Sequence, residues 1–182
     1  MPINRRRITL VLTIAAGCAA LDQATKLMAL ALMPAHTIYL LGDLVRLQLS
    51  ENVGAFMSLG ASLPPQLRFW IFTVMGGLLL VPVTVYAFTA DDLERDGIIA
   101  LAAVLGGGIG NLIDRVLRDG RVVDFLNFGI GNLRTGILNV ADIFVFFGAL
   151  YVMGASIWGM ARAQQAGSVS NQTDAETAAS QE

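Results

Sequence analysis

The chain predicts an all-α membrane protein of four transmembrane helices, with a small β-hairpin or sheet outside the bilayer and an interfacial segment between helices 3 and 4. Three observations carry that prediction. Of 182 residues, 55% are hydrophobic and 14% charged, and the mean hydropathy of +0.64 lies outside the range of an ordinary soluble domain. Four apolar runs each reach the roughly 20 residues that cross the hydrocarbon. Between the first two, the apolar pattern changes period from that of a helix to that of a strand.

Helix 1 reads from Ile8 to about Met33, behind Arg5, Arg6 and Arg7. Its opening also resembles a cleavable signal, since the arginines, the run Ile8 to Ala16 and Gly17-Cys18 follow that pattern. A retained helix fits better, because Ala15 stands where such signals prefer a larger aliphatic residue and the apolar stretch resumes at Leu27. Next, Val45, Leu47 and Leu49 alternate with Arg46, Gln48 and Ser50, the signature of a half-buried strand. Gly42-Asp43 predicts a two-residue turn joining it to Ile38–Leu41.

Pro64-Pro65 precedes helix 2, expected over Phe69 to Ala90 with a kink at Pro82. A charged turn, Asp91 to Asp96, leads to helix 3, Gly97 to Leu117, where Gly106, Gly107, Gly108 and Gly110 suit close helix packing. Residues Arg118 to Gly136 mix polar groups with Phe125, Leu126, Phe128 and Ile130, as expected of a segment lying in the interface. Helix 4 follows over Ile137 to Met160. The organisation is thus one domain, residues 1–162, and a polar tail, 163–182, with too few large apolar residues to order itself.

Composition also excludes. A net charge of −2 offers no basic surface for nucleic acid. With one Cys and one His, no intramolecular disulfide and no usual zinc pattern exists, so no metal and no cofactor is expected. His36 sits in a loop without an evident nucleophile beside it, which disfavours a triad.

What remains is carboxylate chemistry. Asp124 and Asp142 flank a short polar stretch between two spans and so lie near one membrane face, where an ionised group is a functional candidate. Asp22 with Lys26, Asn111 with Asp114, and Asn139 with Asp142 each share a helix face at one end of helices 1, 3 and 4. Arg115 stands beside them and Asn52 in the loop after the strand. Interface salt bridges and helix caps would leave the same spacing. If Asp124 and Asp142 share a partly dry site, repulsion keeps one proton on the pair, the aspartic-protease arrangement for amide hydrolysis. A proton-coupled transporter or channel subunit is the other class that intramembrane Asp and Lys suggest. Such a protein carries charge near mid-span, whereas here the polar groups cluster at one end.

These residues resemble the lipoprotein signal peptidases, or signal peptidase II, from about Asp22 to Asp142. Asp22-Gln-Ala-Thr-Lys26 is similar to the family's first box, Asn52-Val-Gly54-Ala55 to the second, and Gly110-Asn111-Leu-Ile-Asp114-Arg115 to the third. Val123-Asp124-Phe125 resembles the fourth and Asn139-Val-Ala141-Asp142 the fifth. The resemblance implies that Asp124 and Asp142 are a catalytic dyad that cleaves before a diacylglyceryl-modified cysteine. It implies that Asn52, Asn111, Arg115 and Asn139 position substrate and dyad, and that Asp22 and Lys26 brace the site. Lipid-modified prolipoprotein signal peptides, in contact with membrane lipid, would be the substrates. The site would face the periplasm, with both termini in the cytoplasm of a bacterial inner membrane, as the N-terminal arginines also favour. Departures from the family pattern are Phe56 and Met57 in the second box, bulkier than usual and expected to reshape the substrate pocket, with Leu138 and Ile143 around the fifth. They leave a catalytically idle binding paralogue as a further alternative.

Overall fold

Helix α1 (Arg5–Leu32) is 28 residues, three arginines and then a largely apolar run interrupted by Asp22-Gln-Ala-Thr-Lys26, and its burial is confined to one stripe: Val11, Ala15, Ala19, Asp22, Lys26 and Ala29. That spacing of three and four residues is one helix face. The computed structural model describes residues 5–54, 59–91 and 93–179, without the side chains of 163 and 165–179. The altered second-box residues Phe56 and Met57 lie outside the described residues.

The remaining spans are α2 (Pro65–Thr89), α3 (Arg95–Leu117) and the first part of α4 (Val140–Ala179), whose membrane-length portion is Val140–Arg162. Together with α1 they make four helices long and apolar enough to cross a bilayer. Pro65 opens α2, where a missing N–H costs nothing, and Pro82 lies inside it. A widened π-helical segment, Phe69–Met75, separates the two, a feature that apolar periodicity does not signal. We keep the division at about residue 162 as a proposal, since beyond it the sequence supplies no apolar face to hold a helix in place.

α3 is the centre of the bundle because three successive glycines turn three bare faces outward. A Cβ on Gly106 would sit 2.6 Å from Ala15 O of α1, one on Gly107 2.5 Å from Ala141 O of α4, and one on Gly108 2.5 Å from the Leu80 side chain of α2. Small residues replace hydrophobic collapse as the means of helix association in lipid. At the end of the bundle where α1 begins, Val11, Ala15, Ala87, Ile98, Leu101, Ala102 and Leu105 form the apolar core. There Arg7 donates to Ala87 O and Ala90 O, both at 2.7 Å, and so caps the last turn of α2.

The opposite end carries an antiparallel sheet in the order β1 (Ile38–Leu40), β2 (Val45–Asn52), β3 (Val122–Ile130), β4 (Leu133–Arg134). The β1–β2 connection is longer than the expected two-residue turn: Leu40 pairs with Val45, and Leu41, Gly42 and Asp43 all take positive φ (51°, 64° and 76°). The segment expected to lie in the interface is folded as β3 and β4. Between Leu47 and Ser50 the β2–β3 register shifts, so that Leu47 faces Leu126 but Ser50 faces Asp124. This bulge places one extra residue in β2.

Candidate active site

The polar residues of helices and sheet meet where β3 runs past the ends of α1, α3 and α4. Asp124, buried to 1% exposure on β3, is held by two amides: Asn139 Nδ2 donates to its Oδ1 at 2.6 Å and Asn52 Nδ2 to its Oδ2 at 2.9 Å. Asn52 reaches it from the end of β2, and its own Oδ1 accepts the Gly54 N–H at 2.9 Å, which fixes the amide's orientation. Gly54 in turn offers its carbonyl to Arg115 at 3.0 Å.

Asp142 comes from the first turn of α4. Its N–H donates to Asn139 Oδ1 (3.0 Å) while its Oδ2 accepts the Asn139 N–H (3.1 Å), the reciprocal pair of a capping box. Its Oδ1 accepts Asn111 Nδ2 from α3 at 3.0 Å. Asn139 therefore precedes α4 as its cap rather than sharing its face with Asp142, and from there it bonds both carboxylates.

Beneath this pair lies a buried ion cluster. Lys26 Nζ, 1% exposed, meets Asp22 Oδ2 at 2.8 Å, Asp114 Oδ2 at 3.1 Å and Asn111 Oδ1 at 3.0 Å. Every partner faces outward to a second element. Asp22 Oδ1 accepts the Ala141 N–H (2.9 Å), satisfying one of the free donors that begin α4, and Asp114 Oδ2 accepts the Val123 N–H (2.9 Å), pinning β3 beside Asp124. The sequence-predicted residues Asp22, Lys26, Asn52, Gly54, Asn111, Asp114, Arg115, Asp124, Asn139, Ala141 and Asp142 are thus brought into one bonded assembly.

Two groups of residues escaped the sequence reading. Gln23 Nε2 donates to Gly110 O (3.0 Å) and Asp114 Oδ1 (3.2 Å), tying α1 to α3. Apolar residues of α4, Val145, Phe146, Ala149, Leu150 and Met153, line a cavity of about 480 Å³ whose polar end is Asn52, Asn111, Arg115, Asp124, Asn139 and Asp142. The signal was present: these positions follow Asp142 at helical spacing and share its face. Gln23 had none, because its role depends on the α1–α3 crossing.

Desolvation dominates the electrostatics of Asp124. Burial pushes its carboxyl up to about 6 and the nearby Asp142 adds to the rise, while the amides of Asn52 and Asn139 and the charge of Lys26 oppose it. The site is therefore a pair of carboxylates, one of them titrating near neutrality, at the mouth of an apolar trough. Among the described residues, no group of three or more His, Cys, Asp or Glu side chains is placed to hold a metal ion.

A family model described as signal peptidase (SPase) II matches residues 14–158. Lipoprotein signal peptidases of Treponema denticola (35% identical over 147 residues, covering 78% of this chain and 85% of that one) and Borrelia turicatae (34% over 154, 81% and 89%) are similar to it. So is that of Mycobacterium avium, 33% identical over 160 residues, with 85% and 82% covered. The fold is that of a bacterial membrane enzyme solved by the in meso method at 2.3 Å resolution, with TM-score 0.73, 23% identity, and 84% of this chain and 90% of that one covered. With a family model spanning most of its length and relatives matched over most of theirs, this multi-pass membrane chain belongs to the signal peptidase II family.

Proposed function

We propose that this protein removes signal peptides from prolipoproteins as an aspartic endopeptidase, with Asp124 and Asp142 as its catalytic dyad. The observation that carries the reading is Asn139, a single residue that donates to both carboxylates, to Asp124 from its side-chain amide and to Asp142 from its backbone N–H, at the polar end of an apolar cavity. Asp142 sits where the positive end of the α4 dipole favours an anion, and Asp124 is the member whose carboxyl burial pushes up to about 6, which suits it to hold the proton the pair shares.

A water between them loses a proton to ionised Asp142 as its oxygen bonds to the scissile carbonyl carbon, while Asp124 gives its proton to the carbonyl oxygen. The tetrahedral intermediate collapses, the C–N bond breaks, and the proton on Asp142 passes to the departing amine. A proton from the intermediate's hydroxyl returns to Asp124, and the dyad again holds one. No covalent intermediate is needed. Arg115, Asn52 and Asn111 support the reading as positioning residues, and Asp22, Lys26, Asp114 and Ala141 as the brace that fixes α4 and β3 relative to each other.

The apolar wall from Val145 to Met153 extends about 12 Å along α4, enough to receive a hydrophobic chain beside the scissile bond. A lipid-modified precursor supplies one. The cluster of arginines that opens α1 supports cytoplasmic termini in a bacterial inner membrane, and with them a sheet and dyad at the periplasmic face. Purified protein acting on a synthetic diacylglyceryl lipopeptide tests the reading directly. Asp124→Asn and Asp142→Asn should each lose cleavage by at least about a hundredfold while folding normally, the scale of losing a general acid or base. Substantial turnover by either variant would refute the dyad.

A further inference from the structure

β3 and the segment that returns from it toward α4 do not keep one register. Gly129 lies opposite Arg134 and Leu126 opposite Leu138, so three steps along β3 answer four along the return, which carries one residue in excess. Nearer the dyad the excess passes to β3: the N–H groups of Phe125 and Leu126 both donate to Leu138 O at 2.8 Å, which is a β-bulge. The two offsets cancel, and Asn139, the residue after Leu138, meets Asp124 at 2.6 Å.

Asn127, only 8% exposed, stands between the offsets. Its Nδ2 donates to Thr135 O (2.6 Å) and Gly136 O (3.3 Å), while its Oδ1 accepts Arg134 Nε (2.5 Å), so one side chain grips three successive residues of the return. The Phe128 N–H goes to Thr135 Oγ1 (3.0 Å), which leaves the Thr135 carbonyl to Asn127 rather than to the ladder. In a regular strand Asp124 and Asn127, three residues apart, face opposite ways. The Phe125–Leu126 bulge lets both reach the same returning segment.

We propose that Asn127 is a further positioning residue of the dyad, a register lock whose amide holds the extra residue of the return so that Asn139 arrives at Asp124. The assignment rests on the dyad reading above. A slip of one residue reverses which side chains face which side. It would carry Asn139 away from Asp124 and, because Asn139 and Asp142 cap each other, displace Asp142 with it.

The test reads register apart from activity. In a Cys18→Ala background, Asp124→Cys with Asn139→Cys sets two thiols where the bonded side chains now meet, and copper phenanthroline should oxidise them to a disulfide in membranes. Adding Asn127→Leu, which fills the space without an amide, or Asn127→Ala, which empties it, should slow that cross-linking several-fold. In chains that keep Asp124 and Asn139, the same two substitutions should lower kcat about tenfold with KM little changed, the effect of a misplaced catalytic group. Burial still raises the Asp124 carboxyl, and withdrawing the Asn139 amide that opposes burial moves the alkaline limb of kcat to higher pH. Loss of folded protein alone would lower the amplitude and leave that limb in place. Parental cross-linking in a folded Asn127 variant would overturn the proposal. Slowed cross-linking with parental lipopeptide turnover would uphold the lock and count instead against the dyad.

Discussion

Asn139 and Asp142 hold each other: the side chain of each accepts the backbone N–H of the other, at 3.0 and 3.1 Å. The same asparagine donates to Asp124 at 2.6 Å, so the cap of a membrane helix is also the link between two carboxylates from different elements. Helix termination and site assembly are one interaction.

Substitution at residue 139 should separate these roles. Asn139→Ala loses the cap, at about 1 kcal/mol, together with the link. Asn139→Ser restores an N-cap acceptor but not the amide Nδ2 that reaches Asp124, so thermal stability should largely return while kcat stays depressed. Lipopeptide turnover and unfolding temperature measured on both variants check this.

The raised pKa of Asp124 predicts a definite sign of pH dependence. Its folded value of about 6 lies above the ordinary 3.8, so the folded state binds the proton more tightly. Its stabilising contribution is complete below about pH 3.8 and is lost as pH rises to 6, a change of about 3 kcal/mol for this group alone. Unfolding temperature followed from pH 4 to 7 should show that decline in the parent and a flatter curve in Asp124→Asn. Cleavage should likewise fall on an alkaline limb with its midpoint at or above pH 6, once the dyad has lost its single proton.

Lys26 compensates two fully buried carboxylates, Asp22 and Asp114. Lys26→Met should cost about 3–5 kcal/mol, because it leaves uncompensated buried charge. It should also slow cleavage in whatever fraction stays folded, since Lys26 and Asn139 both donate to Asn111 Oδ1 and so turn the Nδ2 of Asn111 toward Asp142. Thermal unfolding in detergent and the kcat of the folded fraction are the readouts.

Glycine substitutions on α3 should differ by what their Cβ meets. At Gly110 it would lie 2.5 Å from Asp22 Oδ2, displacing the carboxylate that bonds Lys26 and the start of α4. At Gly108 it meets the end of the Leu80 side chain, which can move. Gly110→Ala should therefore impair activity strongly and Gly108→Ala little, as lipopeptide turnover at matched amounts of folded protein would show.

By itself, the amino-acid sequence determined the four spans, the presence of a strand after α1 and the list of polar residues at one end of the bundle. Those follow from local quantities: apolar run length, alternation, and i,i+3 and i,i+4 spacing. It also contained the wall of the cavity, as the positions on α4 that share a face with Asp142. Tertiary structure alone decided that 122–130 is a strand, since its pairing partner lies on β2, 70 or more residues away, and a strand's ladder bonds are made outside its own segment. It decided that Asn139 is a cap and not a helical residue, that Gln23 ties α1 to α3, and that Gly106, Gly107 and Gly108 each face a different helix. Each of these depends on which groups meet across elements, and no spacing along a single chain segment records where a partner segment will lie.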